Sequence, residues 1–247
     1  MMRFEDALLE SHHSSLRHAG ICLEWERCRG YRFGVCGALG DREFAELHRL
    51  SQPLAFTARE MLFEQGEPAT SVFNITSGSA RLYKLLPDGR RQIVGFALPG
   101  DFLGLSMADR NAFSADALTP LAACRFQRRG FSNFIDTKPH LLRRLHGMVS
   151  HELSLAQDQM VVLGRRTAEE KVASFLIGLR KRWARLSPSS VTIPLPMTRQ
   201  DIADFLGLTV ETVSRMLTRL AREKVILIVP DGVRLLDVAR IEALAES

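Results

Sequence analysis

Glu211, Ser214 and Arg215 lie three and four residues apart on a segment of helical periodicity. Together they can read the edges of base pairs. Arginine offers two donors to O6 and N7 of guanine, glutamate accepts from N4 of cytosine, and serine can contact a base or a phosphate. A separation of four puts Glu211 and Arg215 on one helix face, within reach of neighbouring base pairs. A second chemistry-bearing set is the four cysteines. Cys22, Cys28 and Cys36 are spaced C-x5-C-x7-C, and Cys124 lies far along the chain in LAACRFQ. Thiolates are soft ligands, suited to iron–sulfur clusters or zinc.

The base-reading set needs a rigid support, and Met197 to Arg222 supplies one. Thr198 with Asp201 three residues on forms a capping box that opens a first helix. Ile202, Phe205 and Leu206 give it an apolar face, and Gly207 ends it where a left-handed residue is needed. Thr209 caps a second helix, in which Val213, Met216, Leu217 and Leu220 face a core. Its other face carries Glu211, Ser214, Arg215, Thr218 and Arg222. Two short helices with a tight turn make a helix-turn-helix, whose second helix enters the major groove. Thr198, Arg199 and Thr209, at the two helix starts, belong with Glu211, Ser214 and Arg215 on the expected DNA surface. VILIVPDGVRLLD then predicts two strands around Pro230-Asp231-Gly232, making the domain a winged helix.

Charge agrees with this reading. The chain has a formal net charge of +5, and 14 Lys and Arg against 10 Asp and Glu fall from Arg165 onward. Arg81, Lys84, Arg90 and Arg91, further upstream, read as a solvated strand face. A 46% hydrophobic content suffices for ordinary cores. No run approaches the roughly 18 apolar residues of a membrane span. The N-terminus, charged and His-rich, has no secretory apolar segment, which predicts a cytoplasmic protein without structural disulfides. His12, His13 and His18 fit a polar tail. Residues 54 to 134 contain no histidine, which argues against an enzyme built on a metal-binding barrel.

The chain divides into four parts. Residues 1–40 form a cysteine-bearing segment. Residues 41–137 carry short alternating runs (VFNIT, ARLYKLL, QIVGFAL, LAACRFQ) between Gly- and Pro-containing turns, which predicts an antiparallel β-roll or jelly roll. Residues 138–166 form one long helix, with Pro139 in its first turn. Leu142, Leu145, Val149, Leu153, Ala156, Met160 and Leu163 alternate three and four apart along it, a seam suited to a two-fold dimer. Residues 167–247 hold a helix opened by the Thr167–Glu170 capping box and then the winged helix-turn-helix. The fold class is α+β.

A β-roll, a dimerisation helix and a winged helix in this order resemble the Crp/Fnr family of bacterial transcription regulators. The strongest matches are GEPATSVFNITSGSARLYKLLPDGRRQIVGFALPGDFLG and MTRQDIADFLGLTVETVSRMLTRL. LGLTVETVSR is similar to the FNR and FixK branch. The resemblance implies a homodimer on double-stranded DNA, with Glu211, Ser214 and Arg215 reading a TTGAT-type half-site, and RNA polymerase as partner. The cyclic-nucleotide branch carries Glu and Arg ligands in the roll. Gly104-Leu105-Ser106 and Phe113-Ser114-Ala115 stand at those places, so cAMP is not expected.

The resemblance also implies a role for the thiols. FNR-type oxygen sensors hold a 4Fe-4S cluster with three N-terminal cysteines and one from the roll, which would be Cys22, Cys28, Cys36 and Cys124. The family's usual C-x2-C is absent, since Trp25 stands three before Cys28 and the nearest thiol is Cys22. Alternatives on the same fold are a cofactor-free FixK-like activator and a haem or thiol redox sensor. A structural zinc site is a further one. FNR has an acidic residue on its dimer helix where this chain has Ala156, which implies a dimer that is harder to dissociate.

Overall fold

The computed structural model describes residues 34–106 and 108–246. Cys22, Cys28, His12, His13 and His18 lie outside them. A 3-10 turn at Cys36–Ala38 leads into helix α1 (Asp41–Arg49). Eight strands follow: β1 (Ser51–Phe56), β2 (Met61–Phe63), β3 (Ser71–Ser77), β4 (Ala80–Leu85), β5 (Arg91–Ala97), β6 (Phe102–Leu103), β7 (Ser114–Ala117) and β8 (Leu121–Gln127). Then come α2 (Arg128–Asp136), α3 (Pro139–Arg165), α4 (Ala168–Leu186), β9 (Thr192–Pro194), α5 (Arg199–Leu206), α6 (Val210–Arg222), β10 (Ile226–Val229), β11 (Gly232–Leu235) and α7 (Val238–Glu246).

The alternating runs form an antiparallel roll of two sheets, ordered β1-β8-β3-β6 and β2-β7-β4-β5. Phe73, Ile75, Leu103, Leu121 and a set of alanines fill the space between them. Gly78 turns β3 into β4 at φ +78°, and a Cβ there would meet the Pro120 carbonyl at 2.3 Å. Only glycine fits that turn. β3 is buried on both faces. Its other side, Val72 with Phe126 of β8, packs against Val35, Cys36, Phe44 of α1, Phe131 and Phe134 of α2, and Leu141 of α3.

That second layer corrects the sequence reading. Helices α1 and α2 fall within residues 41–137, where the sequence reading named strands and no helix. The boundary expected at residue 40 cuts through a packed unit, because Val35 is 0% and Cys36 7% exposed. Strand β9 is one that the sequence reading did not name.

Helix α3, at 1.5 Å rise per residue, runs for about 40 Å. Leu141 and Val162 are buried near its two ends. Between them Leu142, Val149, Leu153, Ala156 and Met160 are exposed, as is Leu163 just beyond Val162, while Leu145 is half-buried against the layer around Cys36. Extended backbone at Arg166 ends the helix, and the capping box of Thr167 and Glu170 starts α4. Among the described residues, no helix is long and apolar enough to cross a membrane.

The C-terminal module shares a core with the outer face of the second sheet. Val172, Leu176, Ile202, Leu206, Val213, Leu217 and Leu220 pack in one cluster with Tyr83, Ile93 and Phe96 of the roll. The rings of Phe96, Phe175 and Phe205 meet at centroid distances of 5.4–6.1 Å. Such ring pairs add about 0.5–1.5 kcal/mol beyond area burial. Arg81 and Arg91 are therefore not the solvated face expected from sequence. They are largely covered, with side chains 17% and 24% exposed, and they bond carboxylates of the module. Arg90, with 77% of its side chain exposed, behaves as expected and pairs with its neighbour Asp88.

Candidate nucleic-acid interface and thiol site

The helix-turn-helix is built by the local signals that predicted it. At the start of α5 the Asp201 N–H donates to Thr198 Oγ1 at 3.1 Å, and Asp201 Oδ2 accepts from the Thr198 N–H at 2.9 Å and from its hydroxyl at 2.7 Å. Gly207 closes α5 in the left-handed region at φ 61°, ψ 41°. Thr209 then caps α6, taking the Thr212 N–H at 3.3 Å. Val213, Leu217 and Leu220 are buried, with Met216 half-buried beside them. The turn between the helices is thus fixed by backbone, and the attitude of α6 by its core face.

The opposite face of α6 is open. Glu211, Arg215, Thr218 and Arg222 are exposed and Ser214 is half-buried. The Glu211 carboxyl is held below the usual carboxylate range by its own backbone N–H, the Thr209 hydroxyl and the charge of Arg215. It is an acceptor at neutral pH, as contact with a cytosine amine requires. Arg215 Nη2 donates to Thr212 Oγ1 at 3.2 Å. Thr212, which also lies 3.1 Å from the Thr209 hydroxyl, is a member of this surface that the sequence reading missed. Its only signal was its place one turn before Arg215. Thr198 and Thr209 are exposed at the two helix starts, and Arg199 is half-buried, its guanidinium lowered from its ordinary value by burial.

The module's positive charge is less available than its count suggests. Arg219 bonds Glu223 and Glu169, Arg240 bonds Glu223, Arg180 bonds Glu242, and Arg182 bonds Asp101. These arginines brace helices. The wing forms as expected, Val229 pairing with Gly232 across the turn, and β9 adds a third strand that pairs Val233 with Ile193. Arg234, on the wing, donates to Thr192 Oγ1 at 3.0 Å.

Of the four cysteines, the structure brings Cys36 and Cys124 to one place. Cys124, on β8, is the register partner of Asn74 on β3. Asn74 Nδ2 donates to Cys36 Sγ at 3.7 Å. Both thiols border the apolar layer that contains Leu141 and Leu145 of α3. Asn74 is 3% exposed, and its Oδ1 has no hydrogen-bond partner among the described residues. Two soft sulfur donors therefore border one buried amide, whose Nδ2 already donates to one of them. In the roll, the places of the cyclic-nucleotide ligands hold half-buried Leu105 and Phe113. The Phe113 ring lies 6.3 Å from that of Phe63, and the neighbouring Ser114 hydroxyl takes the Gln65 N–H.

Comparison with known proteins agrees with this architecture. Residues 195–226 match the model of bacterial regulatory proteins of the crp family, and residues 53–138 match the cyclic nucleotide-binding domain. The transcriptional activatory protein AadR of Rhodopseudomonas palustris is 54% identical over 88% of this chain and 95% of its own length. The nitrogen fixation regulation protein FixK of Bradyrhizobium diazoefficiens is 53% identical over 85% and 89%. The structure of FixK2 from Bradyrhizobium japonicum superposes with a TM-score of 0.74 at 35% identity, covering 78% of this chain and 96% of that one. With a roll, a long helix and an open, capped recognition helix in this order, the chain belongs to the Crp/Fnr family of DNA-binding transcription regulators.

Proposed function

We propose that this regulator acts in the cytoplasm as a homodimer that binds a palindrome of TTGAT-type half-sites and engages RNA polymerase there. The exposed face of α6 carries the reading, with Arg215 and Glu211 on base edges and Ser214 on a base or phosphate. Thr198, Arg199 and Thr209 border that face and suit phosphate contact. The exposed apolar stripe of α3 supplies the dimer seam, which sets two recognition helices about one DNA turn apart. Arg215→Ala then costs roughly 1–3 kcal/mol on the palindrome and little on a scrambled duplex. Equal loss on both would remove the base-reading assignment.

We further propose that Cys22, Cys28, Cys36 and Cys124 hold a 4Fe-4S cluster and that no cyclic nucleotide is used. The support is the meeting of Cys36 and Cys124 at Asn74. When bound, such a cluster supplies a tie that oxygen breaks. The chain's own residues carry the consequence, because Cys36 shares its apolar layer with Leu141 and Leu145 at the base of the dimer helix. A shift in the Cys36 turn therefore bears on the seam. Burial of Cys36 among Val35, Phe44 and Phe131 favours a second reading, a cofactor-free regulator in which it is a small core residue. The visible spectrum and iron and sulfide content of protein purified without oxygen decide between them. A brown protein with about four irons per chain, bleached by air, establishes the cluster. A colourless protein that binds the palindrome establishes the second reading.

A further inference from the structure

The winged module is joined to the dimer helix through the extended residue Arg166 and the cap residue Thr167. A link this short leaves the module free to swing unless something else holds it. The roll does so through the shared core around Phe96, through Arg182 on Asp101, and, at the first turn of the helix-turn-helix, through two arginines. Arg81, on β4, grips Asp116 of its own sheet with two hydrogen bonds, Nε to Oδ1 at 2.7 Å and Nη2 to Oδ2 at 2.8 Å. That fixes the guanidinium plane and aims Nη1 at Asp201 Oδ1, 2.6 Å away. Arg91, on β5, places Nη2 2.8 Å from the same Asp201 oxygen and bonds Asp204 Oδ2 through Nε at 3.0 Å and Nη2 at 2.8 Å. Gln92 Nε2 donates to the Asp204 carbonyl at 2.6 Å. Both guanidinium carbons sit within 6 Å of the centre of the Tyr83 ring.

The carboxylate that receives these arginines is the one that caps α5. Asp201 Oδ2 closes the capping box with Thr198, and Asp201 Oδ1 takes Arg81 and Arg91. Asp201 is 1% exposed. The first turn of the helix-turn-helix is thus pinned to the sensor roll, and the rigid Gly207 turn passes that attitude to α6. The reading face stays open while the clasp is closed.

We propose that Arg81 and Arg91 are positioning residues for DNA recognition, holding α5 through Asp201 and Asp204 so that the roll sets the attitude of the recognition helix. The magnitude follows from the dimer, so the inference rests on the palindrome reading above. If a loosened clasp leaves each module correctly oriented about one-third of the time, a dimer is competent about one-ninth of the time, and specific affinity falls about tenfold.

Two variants of full-length protein test this with opposite changes of net charge. Asp204→Asn removes a negative charge and by bulk electrostatics should tighten DNA binding. Arg91→Gln removes a positive one. Both are measured by fluorescence anisotropy on a TTGAT palindrome and on a scrambled duplex of equal length, with thermal melts to confirm folding. Hydrogen exchange of β4–β5 and α5 peptides is followed without DNA. The expected result is a selective loss on the palindrome for both variants, of about tenfold, with faster exchange in α5. Unchanged or tighter palindrome binding by Asp204→Asn overturns the proposal, as does equal loss on both duplexes. If wild-type protein shows no preference for the palindrome, the binding-site reading fails instead. The exchange data then decide the clasp alone, and unaltered exchange in α5 refutes it.

Discussion

Replacing Asp201 by alanine removes a helix cap and the centre of a buried ionic group together. The cap contributes about 1 kcal/mol, the usual cost of losing such a residue. Removing one partner from a fully buried ion pair costs about 3–5 kcal/mol, because the other charge stays buried. Here the cost is smaller. Arg81 keeps Asp116 and Arg91 keeps Asp204, and the two guanidinium side chains are 17% and 24% exposed. We therefore expect about 2–3 kcal/mol from the ionic group and about 3–4 kcal/mol in total. Urea unfolding followed by Trp183, which packs on the module core, reads this directly. Thr198→Ala removes the hydroxyl but leaves the charge, and should lose only about 1 kcal/mol. A loss below about 1 kcal/mol for Asp201→Ala, or equal losses for the two variants, would refute the reasoning that one carboxylate serves both roles.

Acid should reveal the same group. Burial alone would raise the Asp201 carboxyl, but bonds from the Thr198 hydroxyl and N–H and the Arg81 charge outweigh it and lower it. Its stabilisation is complete above the unfolded value of about 3.9 and is lost as pH falls through the lower folded value. Thermal melts of Asp201→Asn should accordingly flatten in that acid range, relative to wild type. Gly207→Ala forces a side chain into the left-handed region without a clash, since the added Cβ would meet Leu163 at an ordinary 3.5 Å. It should cost about 1–2 kcal/mol by thermal unfolding. Leu153→Glu places a charge in the middle of the α3 stripe, where Leu153 is 59% exposed. Sedimentation should show a monomer with little change in secondary structure, and a persistent dimer would move the seam elsewhere.

The parts of this protein that the sequence made legible are those whose signals act within one or two helical turns. Thr198 with Asp201, Gly207, Thr209 and the 3–4 spacing from Val213 to Leu220 each specify backbone or burial through neighbours three or four residues away. The turn glycines and alternating runs did the same for the roll, because a strand's two faces are written in its period of two. Helix α2 had a readable spacing in Phe131, Phe134 and Ile135, but it is short and follows directly on β8, so it was not separated from the roll. Helix α1 has only Phe44 and Leu47 buried, too few to show a period.

What only the tertiary structure decided are the contacts between distant segments. Arg81 meets Asp201 across 120 residues of chain, and Arg91 meets Asp204 across 113. On a strand, an arginine facing solvent and one facing a carboxylate of another domain have the same local sequence. Asn74 likewise reads as a polar residue in an apolar strand, and only the folding of the Cys36 turn onto β3 makes it the meeting point of two thiols. The chain's local chemistry determined its helices, turns and reading face. Packing determined which charges are buried and what they hold, because burial is set by whatever lies opposite, and that is not encoded at the residue itself.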